Sequence, residues 1–259
     1  MTDNLCIALV QCELVWEQPA ENRKHLLHLL DDLASETDLV VFPEMFATGF
    51  SMQVEKCAEA MDGESVQWMK RLAADRRLVV AGSLMIREHG NFFNRFIFVY
   101  PEGKMEYYDK RHLFSMGEEH LHFTGGQTRK LIQIKSFRIL PQVCYDLRFP
   151  VFSRNRQDYD LLINTANWPA PRRGAWKTLL KARAIENQSY VVGINRIGRD
   201  ANGINYVGDT CFVDPKGKVM VAAEDKKEQI ITAKLSKDSL ERFRNNFRVL
   251  PDADDFQLT

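Results

Sequence analysis

Short apolar runs alternate with amphipathic stretches through the first third of the chain. Residues 5–11 form an apolar run of strand length, whereas the leucines from Leu26 to Leu33 recur at the i, i+3, i+4, i+7 spacing of one helix face. The same reasoning gives, in chain order, a strand at 5–11, a helix around 26–33, a strand at 39–42, a helix at 64–77 and a strand at 78–82. This order predicts a layered α/β fold.

From residue 96 onward the pattern changes to strands that are joined by tight turns. Residues 96–100 and 105–108 flank the turn Pro101-Glu102-Gly103-Lys104, which predicts a hairpin. Further predicted elements are a hairpin of 131–134 with 139–143, a strand at 161–164, a helix at 174–188, a strand at 190–195 and a hairpin around Asp214-Pro215-Lys216-Gly217. Mixed sheets flanked by helices fit this order better than a purely parallel sheet.

Composition and charge restrict the class of protein. The 259 residues are 45% hydrophobic and 27% charged, as in ordinary globular proteins, and no linker, repeat or low-complexity tract divides them, so we expect a single domain over residues 1–259. Thirty-five basic residues balance thirty-five acidic ones, so no positive field attracts nucleic acid or a membrane surface. No apolar stretch approaches the roughly 18 residues of a membrane-spanning helix, and we expect a cytoplasmic protein.

The cysteines are odd in number and form no Cys-x-x-Cys pair. They are Cys6, Cys12, Cys57, Cys144 and Cys211. We expect them to be reduced and mostly buried as small apolar residues, with at most one or two of them carrying chemistry.

Three potentially reactive side chains stand at or just beyond the ends of predicted strands. Glu44 comes after the run 39–42, Lys110 follows the strand that ends at residue 108, and Cys144 follows residue 143. Loops that converge at strand ends build the reactive crevices of α/β proteins. Taken singly, these residues are more simply interpreted as a buried acid, a surface lysine and a core thiol.

Taken together, the three residue types supply one complete chemistry. A thiol is a strong nucleophile only as the thiolate, which a neighbouring base and a cation promote. A carboxylate can accept the thiol proton, and a lysine ammonium can stabilise the thiolate and then the oxyanion of a tetrahedral intermediate. The combination of Glu44, Lys110 and Cys144 therefore indicates covalent catalysis at a carbonyl group.

These residues lie in motifs that resemble those of the nitrilase superfamily of carbon–nitrogen hydrolases, and the resemblance spans nearly the whole chain. The motifs are Phe42-Pro43-Glu44, Tyr108-Asp109-Lys110-Arg111-His112-Leu113-Phe114 and Val143-Cys144-Tyr145-Asp146-Leu147-Arg148-Phe149-Pro150. The family has its Glu, Lys and Cys triad in this order. A second family glutamate matches Glu119, ahead of Phe123-Thr124-Gly125-Gly126, where Gly125 replaces the usual proline.

The resemblance implies a fold, an assembly and a mechanism. The implied fold is a four-layer α-β-β-α sandwich with mixed sheets, paired through helices into a homodimer. The implied mechanism uses Glu44 as base, Cys144 as nucleophile, and Lys110 with the backbone N–H of Tyr145 as oxyanion donors, while Glu119 positions the substrate or the lysine. It requires no metal or organic cofactor.

Two other motifs carry less weight than the triad. The pair His120 and His122 beside Glu118 lacks the spacing of a known metal site. Gly125-Gly126 lacks the flanking residues of a phosphate-binding loop. Neither supports a cofactor.

The segment from Asn164 to Gln188 resembles the omega-amidase branch, which hydrolyses the terminal amide of 2-oxo acids such as 2-oxoglutaramate and 2-oxosuccinamate. Because such a substrate is a carboxylate and guanidinium groups bind carboxylates, Arg148 and Arg173 are candidate substrate ligands, each with a structural or solvated role as the alternative. Trp168 either lines the pocket or fills the core. Alternative functions are an N-carbamoyl amide hydrolase, another short aliphatic amidase, or a non-catalytic binding protein with this fold.

Overall fold

The apolar runs of the sequence form two six-stranded sheets and a two-stranded ribbon within residues 3–257, the part of the chain that the computed structural model describes. The strands are β1 (Asn4–Gln11), β2 (Leu39–Val41), β3 (Val79–Glu88), β4 (Asn91–Val99), β5 (Met105–Asp109), β6 (Ile132–Ile134), β7 (Phe137–Val143), β8 (Leu161–Ala166), β9 (Tyr190–Asn195), β10 (Ile197–Arg199), β11 (Asn205–Val207), β12 (Cys211–Val213), β13 (Val219–Ala222) and β14 (Gln229–Ser236).

Helices connect or follow these strands. The α-helices are α1 (Pro19–Leu29), α2 (Val54–Cys57), α3 (Glu64–Arg76), α4 (Glu119–His122), α5 (Pro150–Ser153), α6 (Arg173–Asn187) and α7 (Lys237–Asn246). Short 3₁₀ helices cover Ser115–Gly117, Cys144–Arg148, Ala170–Arg172 and Leu250–Asp252. Among residues 3–257 there is no helix with the length and apolarity that crossing a bilayer requires.

Each large sheet contains three adjacent parallel strands with antiparallel strands on either side. The first sheet has the order β14-β1-β2-β3-β4-β5, in which β1, β2 and β3 are parallel. The second has the order β13-β12-β9-β8-β7-β6, in which β7, β8 and β9 are parallel. Parallel strands that are covered on both faces read as continuous apolar runs, which is how they appear in the sequence.

The two sheets pack face to face, and helices cover their outer faces. Apolar side chains from both sheets, such as Phe98 of β4 and Val192 of β9, form one buried core between them. Leu26 of α1 and Met69 of α3 pack on the outside of the first sheet, and Trp176 of α6 packs on the outside of the second. The predicted α-β-β-α sandwich with mixed sheets is confirmed.

The helix predicted around residues 26–33 both begins and ends earlier than expected, at Pro19 and Leu29. Helix α1 ends at Leu29, and the backbone N–H of Leu30 closes it by donating to Leu26 and Leu27. Leu30 is nevertheless fully buried, because the turn that follows the helix lies against the same core. The apolar spacing therefore identified the side chains that face the core, with Leu26 and Leu30 buried and Leu29 and Leu33 partly buried, but it misplaced both ends of the helix.

Candidate active site

Glu44, Lys110 and Cys144 leave three different strands and meet where the carboxyl ends of those strands converge. Glu44 lies three residues after β2, Lys110 directly after β5 and Cys144 directly after β7. The Lys110 ammonium donates to Glu44 Oε1 at 3.0 Å, and both side chains are completely buried. Asn167, which follows β8, joins the nucleophile to this pair: its backbone N–H donates to Glu44 Oε2 at 2.7 Å, and the Cys144 thiol lies 4.0 Å from its carbonyl oxygen.

Lys110 bridges two buried carboxylates rather than one. Its Nζ donates to Glu119 Oε1 at 3.0 Å and to Oε2 at 2.9 Å, in addition to its bond to Glu44. The backbone N–H of Phe114 also donates to Glu119 Oε2, at 2.6 Å. The structure therefore places Glu119 in direct contact with the lysine, and Glu118, its neighbour in sequence, lies at the mouth of the adjacent cavity instead.

The buried cluster has one more carboxyl group than it has cations. Burial alone would lower the pKa of Lys110, but the carboxylates of Glu119 and Glu44 outweigh it and raise that pKa above its ordinary value. Burial raises the pKa of Glu119, and the ammonium of Lys110 opposes that shift. The lysine thus remains charged, and the surplus of acidic groups favours the uptake of a proton.

Cys144 is the first residue of a 3₁₀ helix and has a left-handed backbone conformation, with φ of +48°. That conformation is uncommon for a residue with a side chain and recurs at functional sites. Burial, followed by the charge of Glu44, raises the pKa of the Cys144 thiol well above its ordinary value, although Lys110 acts in the opposite direction. The cysteine is therefore a thiol at rest and needs a base when it attacks.

Asp146 holds the cysteine turn against the loop that carries the lysine. Its Oδ2 accepts from the Val143 backbone N–H at 3.0 Å and from the Tyr108 hydroxyl at 2.8 Å. Its Oδ1 accepts from the His112 backbone N–H at 3.0 Å and lies 2.7 Å from Nδ1 of that imidazole. Since Tyr108 and His112 flank the lysine in sequence, one buried carboxylate fixes both catalytic segments.

Sequence reasoning missed two asparagines that complete the cluster. Asn94 of β4 donates from Nδ2 to Glu44 Oε1 at 2.8 Å and to Glu119 Oε1 at 3.1 Å. Asn167 Nδ2 donates to the Glu44 backbone carbonyl at 2.7 Å. The position of Asn167 directly after an apolar strand is the one sequence signal that distinguishes it. Asn94 lies within a strand and resembles any other polar strand residue.

Cys144 lines a cavity of about 680 Å³, a volume within the usual range for small-molecule sites. The aromatic residues of the lining are Trp16, Phe50, Phe114, Tyr145, Trp168 and Tyr206. Glu44, Lys110 and Glu119 lie behind the cysteine and are sealed from solvent. A small molecule in the cavity can therefore reach the Cys144 thiol, whereas solvent does not reach Glu44, Lys110 or Glu119. Within residues 3–257 no three metal-ligating side chains are grouped around one point.

Two exposed arginines face this cavity, and they are Arg148 and Arg172. Arg148 lies over the ring of Trp168, 4.9 Å from its centroid, and the Trp168 indole N–H donates to the Arg172 carbonyl at 2.9 Å. The Arg172 guanidinium lies over the ring of Phe114, 5.4 Å from its centroid, so both guanidinium groups rest on aromatic rings of the cavity wall. Both therefore remain available to an anionic ligand, and Trp168 lines the pocket as well as packing in the core.

Arg173, the other arginine that the sequence suggested, lies elsewhere. It binds Asp209 through two hydrogen bonds of 2.9 and 2.7 Å and also contacts Asp225 at 2.6 Å. It is not among the residues that line the cavity. A turn of 3₁₀ helix between residues 170 and 172 directs the two neighbouring arginines to different surfaces, which the sequence pattern does not reveal.

Comparison with known proteins identifies the family to which the chain belongs. The family model described as carbon-nitrogen hydrolase matches residues 6–245. The chain is 44% identical over 254 residues to the omega-amidase YafV of Escherichia coli, covering 98% of each chain, and 30% identical to the 2-oxoglutaramate amidase of Bacillus subtilis, covering 95% of this chain and 96% of that one. A CN-hydrolase superfamily protein from Xanthomonas campestris, solved with an arsenic adduct in its active site, superposes with a TM-score of 0.96 at 44% identity, covering 99% of both chains.

Proposed function

This chain belongs to the carbon–nitrogen hydrolase family, and from that premise we propose that it is an omega-amidase. It hydrolyses the terminal amide of 2-oxo acid amides such as 2-oxoglutaramate and 2-oxosuccinamate, giving the dicarboxylate and ammonia. The observation that carries the proposal is the position of Cys144. It lies on the wall of a cavity that is also lined by two arginines, and the buried pair of Glu44 and Lys110 lies behind it. Its 44% identity to an omega-amidase over almost the full chain supports the same substrate class.

In the first step the Cys144 sulfur attacks the amide carbon while Glu44 takes the thiol proton. The negative charge that develops on the amide oxygen is stabilised by the Lys110 ammonium and by the Tyr145 backbone N–H. Tyr145 lies in the first turn of the 3₁₀ helix, where backbone N–H groups have no partner within the helix. Glu44 then gives its proton to the amide nitrogen as the carbon–nitrogen bond breaks, which releases ammonia and leaves a thioester.

In the second step water hydrolyses the thioester, with Glu44 again acting as the base. Glu44 accepts a proton from the water as its oxygen attacks the thioester carbon, and it returns that proton to the departing sulfur of Cys144. In the resting enzyme the carboxylate is held by three donors from different elements, namely Lys110, Asn94 and the Asn167 backbone. Glu119 positions the lysine from its opposite side.

The substrate carboxylate lies against Arg148, with Arg172 as a second cation at the same cavity. A charged hydrogen bond of this kind contributes about 1.5–3 kcal/mol. Trp168 supports both arginines, because its ring lies beneath one guanidinium and its N–H binds the backbone of the other residue. This arrangement explains how a molecule with no net charge can select an anionic substrate, since the attraction is local to the site.

We also propose that the enzyme is a homodimer that pairs through its outer helices. Ile185 of α6 is 55% exposed and Phe247, just after α7, is 61% exposed. The ends of these two helices meet, since Gln188 donates to the Phe247 carbonyl at 2.7 Å, and an exposed apolar patch is a common mark of a protein–protein contact. Light scattering after gel filtration should give the mass of two chains, and the mass of one chain would contradict the proposal.

The cysteines support a further proposal, that the enzyme works in the cytoplasm. All five are free thiols, and three of them, Cys12, Cys57 and Cys211, are buried. Free thiols persist in reducing compartments. Activity that survives millimolar reductant and declines under oxidising conditions would agree, and a requirement for oxidation would contradict it.

The proposed activity is tested by a panel of amides with ammonia release as the readout. The panel contains 2-oxoglutaramate, 2-oxosuccinamate, glutamine, asparagine and N-carbamoyl amino acids. We expect the highest kcat/KM for the two oxo-acid amides. Turnover of N-carbamoyl compounds alone would overturn the assigned substrate class, and turnover of no small amide would favour a binding protein.

A further inference from the structure

Asn94 contacts both carboxylates of the buried cluster without touching the cavity. It lies on β4 and is 1% exposed, whereas Glu44 follows β2 and Glu119 belongs to α4. Its Nδ2 donates to Oε1 of each carboxylate, at 2.8 Å for Glu44 and 3.1 Å for Glu119. An amide nitrogen carries two hydrogens, so these two bonds use its full donor capacity.

The same two oxygens are also bound by the lysine. Lys110 Nζ lies 3.0 Å from Glu44 Oε1 and 3.0 Å from Glu119 Oε1, and its third hydrogen bond goes to Glu119 Oε2 at 2.9 Å. An ammonium has only three hydrogens. Lys110 is therefore fully occupied in the resting enzyme, and it must release one carboxylate oxygen in order to bind an oxyanion.

Asn94 is the donor that remains on either Oε1 oxygen when the lysine leaves it. Its orientation is determined, because the reversed amide would direct Oδ1 at two carboxylates, and Oδ1 has no hydrogen-bond partner within the described residues. A neutral amide does not ionise, so it supplies these bonds at every pH. A carboxylate that keeps a donated hydrogen bond stays ionised more readily than one that loses it.

The backbone places Asn94 and the lysine side by side. The Lys110 backbone N–H donates to the Asn94 carbonyl at 2.9 Å. The next pair along the two strands, Arg95 and Asp109, are register partners joined by bonds of 2.7 and 3.0 Å. The Asn94 amide and the Lys110 ammonium therefore belong to neighbouring residues at the open end of the β4–β5 hairpin.

We propose that Asn94 is a positioning residue that keeps Glu44 and Glu119 from sharing a proton when Lys110 turns to the oxyanion. This role rests on the proposed amidase mechanism. Four titratable groups face this point, and they are Glu44, Lys110, Glu119 and Cys144. Without the amide, the two carboxylates behave as a coupled pair that binds one proton between them, and Glu44 enters the reaction already protonated in part of the molecules.

The test compares Asn94→Ala and the isosteric Asn94→Asp with the wild type. Misplacing a reacting group by about 1 Å can cost about 10²-fold in rate, so we expect kcat for 2-oxoglutaramate to fall by roughly 10- to 100-fold, with KM nearly unchanged. The acid limb of the kcat/KM profile should move to higher pH, and further for Asn94→Asp because that change adds a third carboxylate.

The matched control is Asn91→Ala, which removes an exposed asparagine from the same strand. It should leave kcat, KM and the pH profile at their wild-type values. If Asn94→Ala lowers kcat but leaves the acid limb in place, Asn94 merely supports the fold. An unchanged kcat would equally overturn the proposal.

A measurement without substrate separates this inference from the proposed activity. Carboxyl carbons of ¹³C-labelled glutamate are titrated by NMR in the wild type and in Asn94→Ala, which adds no charge, with Glu44→Gln and Glu119→Gln variants to assign the signals. We expect the apparent pKa values of the pair to rise in the Asn94 variant. If they rise although the wild type releases no ammonia from any amide, the inference survives and the assigned activity fails, whereas unchanged values overturn the inference.

Discussion

Two buried charge clusters lie at opposite ends of strand β8, and their compositions are opposite. Asn167 follows the last residue of the strand and binds Glu44, in the cluster where two carboxylates surround Lys110. Asp160 precedes the first residue of β8 and is surrounded by three cations. These cations are Arg138 at 3.0 Å, Arg244 at 2.9 Å and Lys237 at 2.5 Å.

The difference separates a reactive cluster from a structural one. Burial would raise the pKa of Asp160, but hydrogen bonds from Arg138 and Lys237 outweigh it and hold that pKa far below its usual range. Asp160 therefore has no capacity to take up a proton at neutral pH. At the other end, the surplus of carboxylates next to a thiol supplies a base, and a cavity admits the substrate. A buried charge by itself therefore does not indicate a catalytic site. A buried carboxylate that lacks a cation of its own and lies beside a thiol does indicate one.

The largest effect should come from removing the nucleophile at the reactive end. Cys144→Ala leaves no group that can form the thioester, and we expect ammonia release to fall by roughly 10⁴-fold or more. The control is Cys6→Ala, a partly buried cysteine of β1. A Cys144→Ala enzyme that keeps the wild-type rate would end the covalent mechanism.

Removing the single cation of that cluster should have the next largest effect. Lys110→Met keeps the length of the side chain but leaves two buried carboxylates unpaired and an oxyanion donor missing. Loss of one such donor costs about 10²–10³-fold in rate, and we expect kcat/KM to fall by at least that factor. Lys130→Met, at a half-exposed surface lysine, is the control. A loss below tenfold in Lys110→Met would show that the lysine is not an oxyanion donor.

Removing the charge of an arginine that lines the cavity should have a smaller effect. Arg148→Gln removes a charged hydrogen bond worth about 1.5–3 kcal/mol, so KM for 2-oxoglutaramate should rise by roughly 10- to 100-fold. Arg173→Gln should leave KM unchanged, because that guanidinium is bound by Asp209 and Asp225. The reverse pattern in steady-state kinetics would place the substrate carboxylate on Arg173.

The smallest effect on activity is expected at the structural end. Asp160→Asn should leave kcat/KM within about twofold while lowering the free energy of unfolding by about 2–3 kcal/mol, since it removes a charged acceptor from buried hydrogen bonds. Because the pKa of Asp160 is depressed in the folded state, its contribution is complete above the unfolded value of about 3.9 and is lost as pH falls below it. Urea unfolding between pH 7 and pH 3 should therefore show a steeper loss for the wild type than for the variant. Equal pH dependence would refute the assignment.

The apolar runs predicted a layered α/β fold with mixed sheets and put three potentially reactive residues at strand ends, whereas the four-layer sandwich was predicted from the family resemblance alone. The sequence made no prediction for β14, which is paired along its whole length with β1 and belongs to the sheet only through that distant partner. It also missed Asn94, because the role of this residue depends on Glu44 and Glu119, which distant parts of the chain bring next to it. It named Arg173 as a candidate ligand and not Arg172, which is the one that lines the cavity, because the direction of adjacent side chains depends on a local turn. Pairing between strands that are far apart in sequence and the direction of individual side chains are the properties that are hardest to predict from a single sequence.

The most direct test of the account is to look for the acyl group on Cys144. The enzyme is mixed with 2-oxoglutaramate, quenched in acid after milliseconds to seconds, digested and analysed by mass spectrometry. The account predicts a transient adduct on the peptide that contains Cys144, with the mass of the substrate less ammonia, which forms with the first ammonia released and disappears when substrate is exhausted. Repeated release of ammonia with Cys144 unmodified at every quench time, or an adduct on another residue, would contradict it.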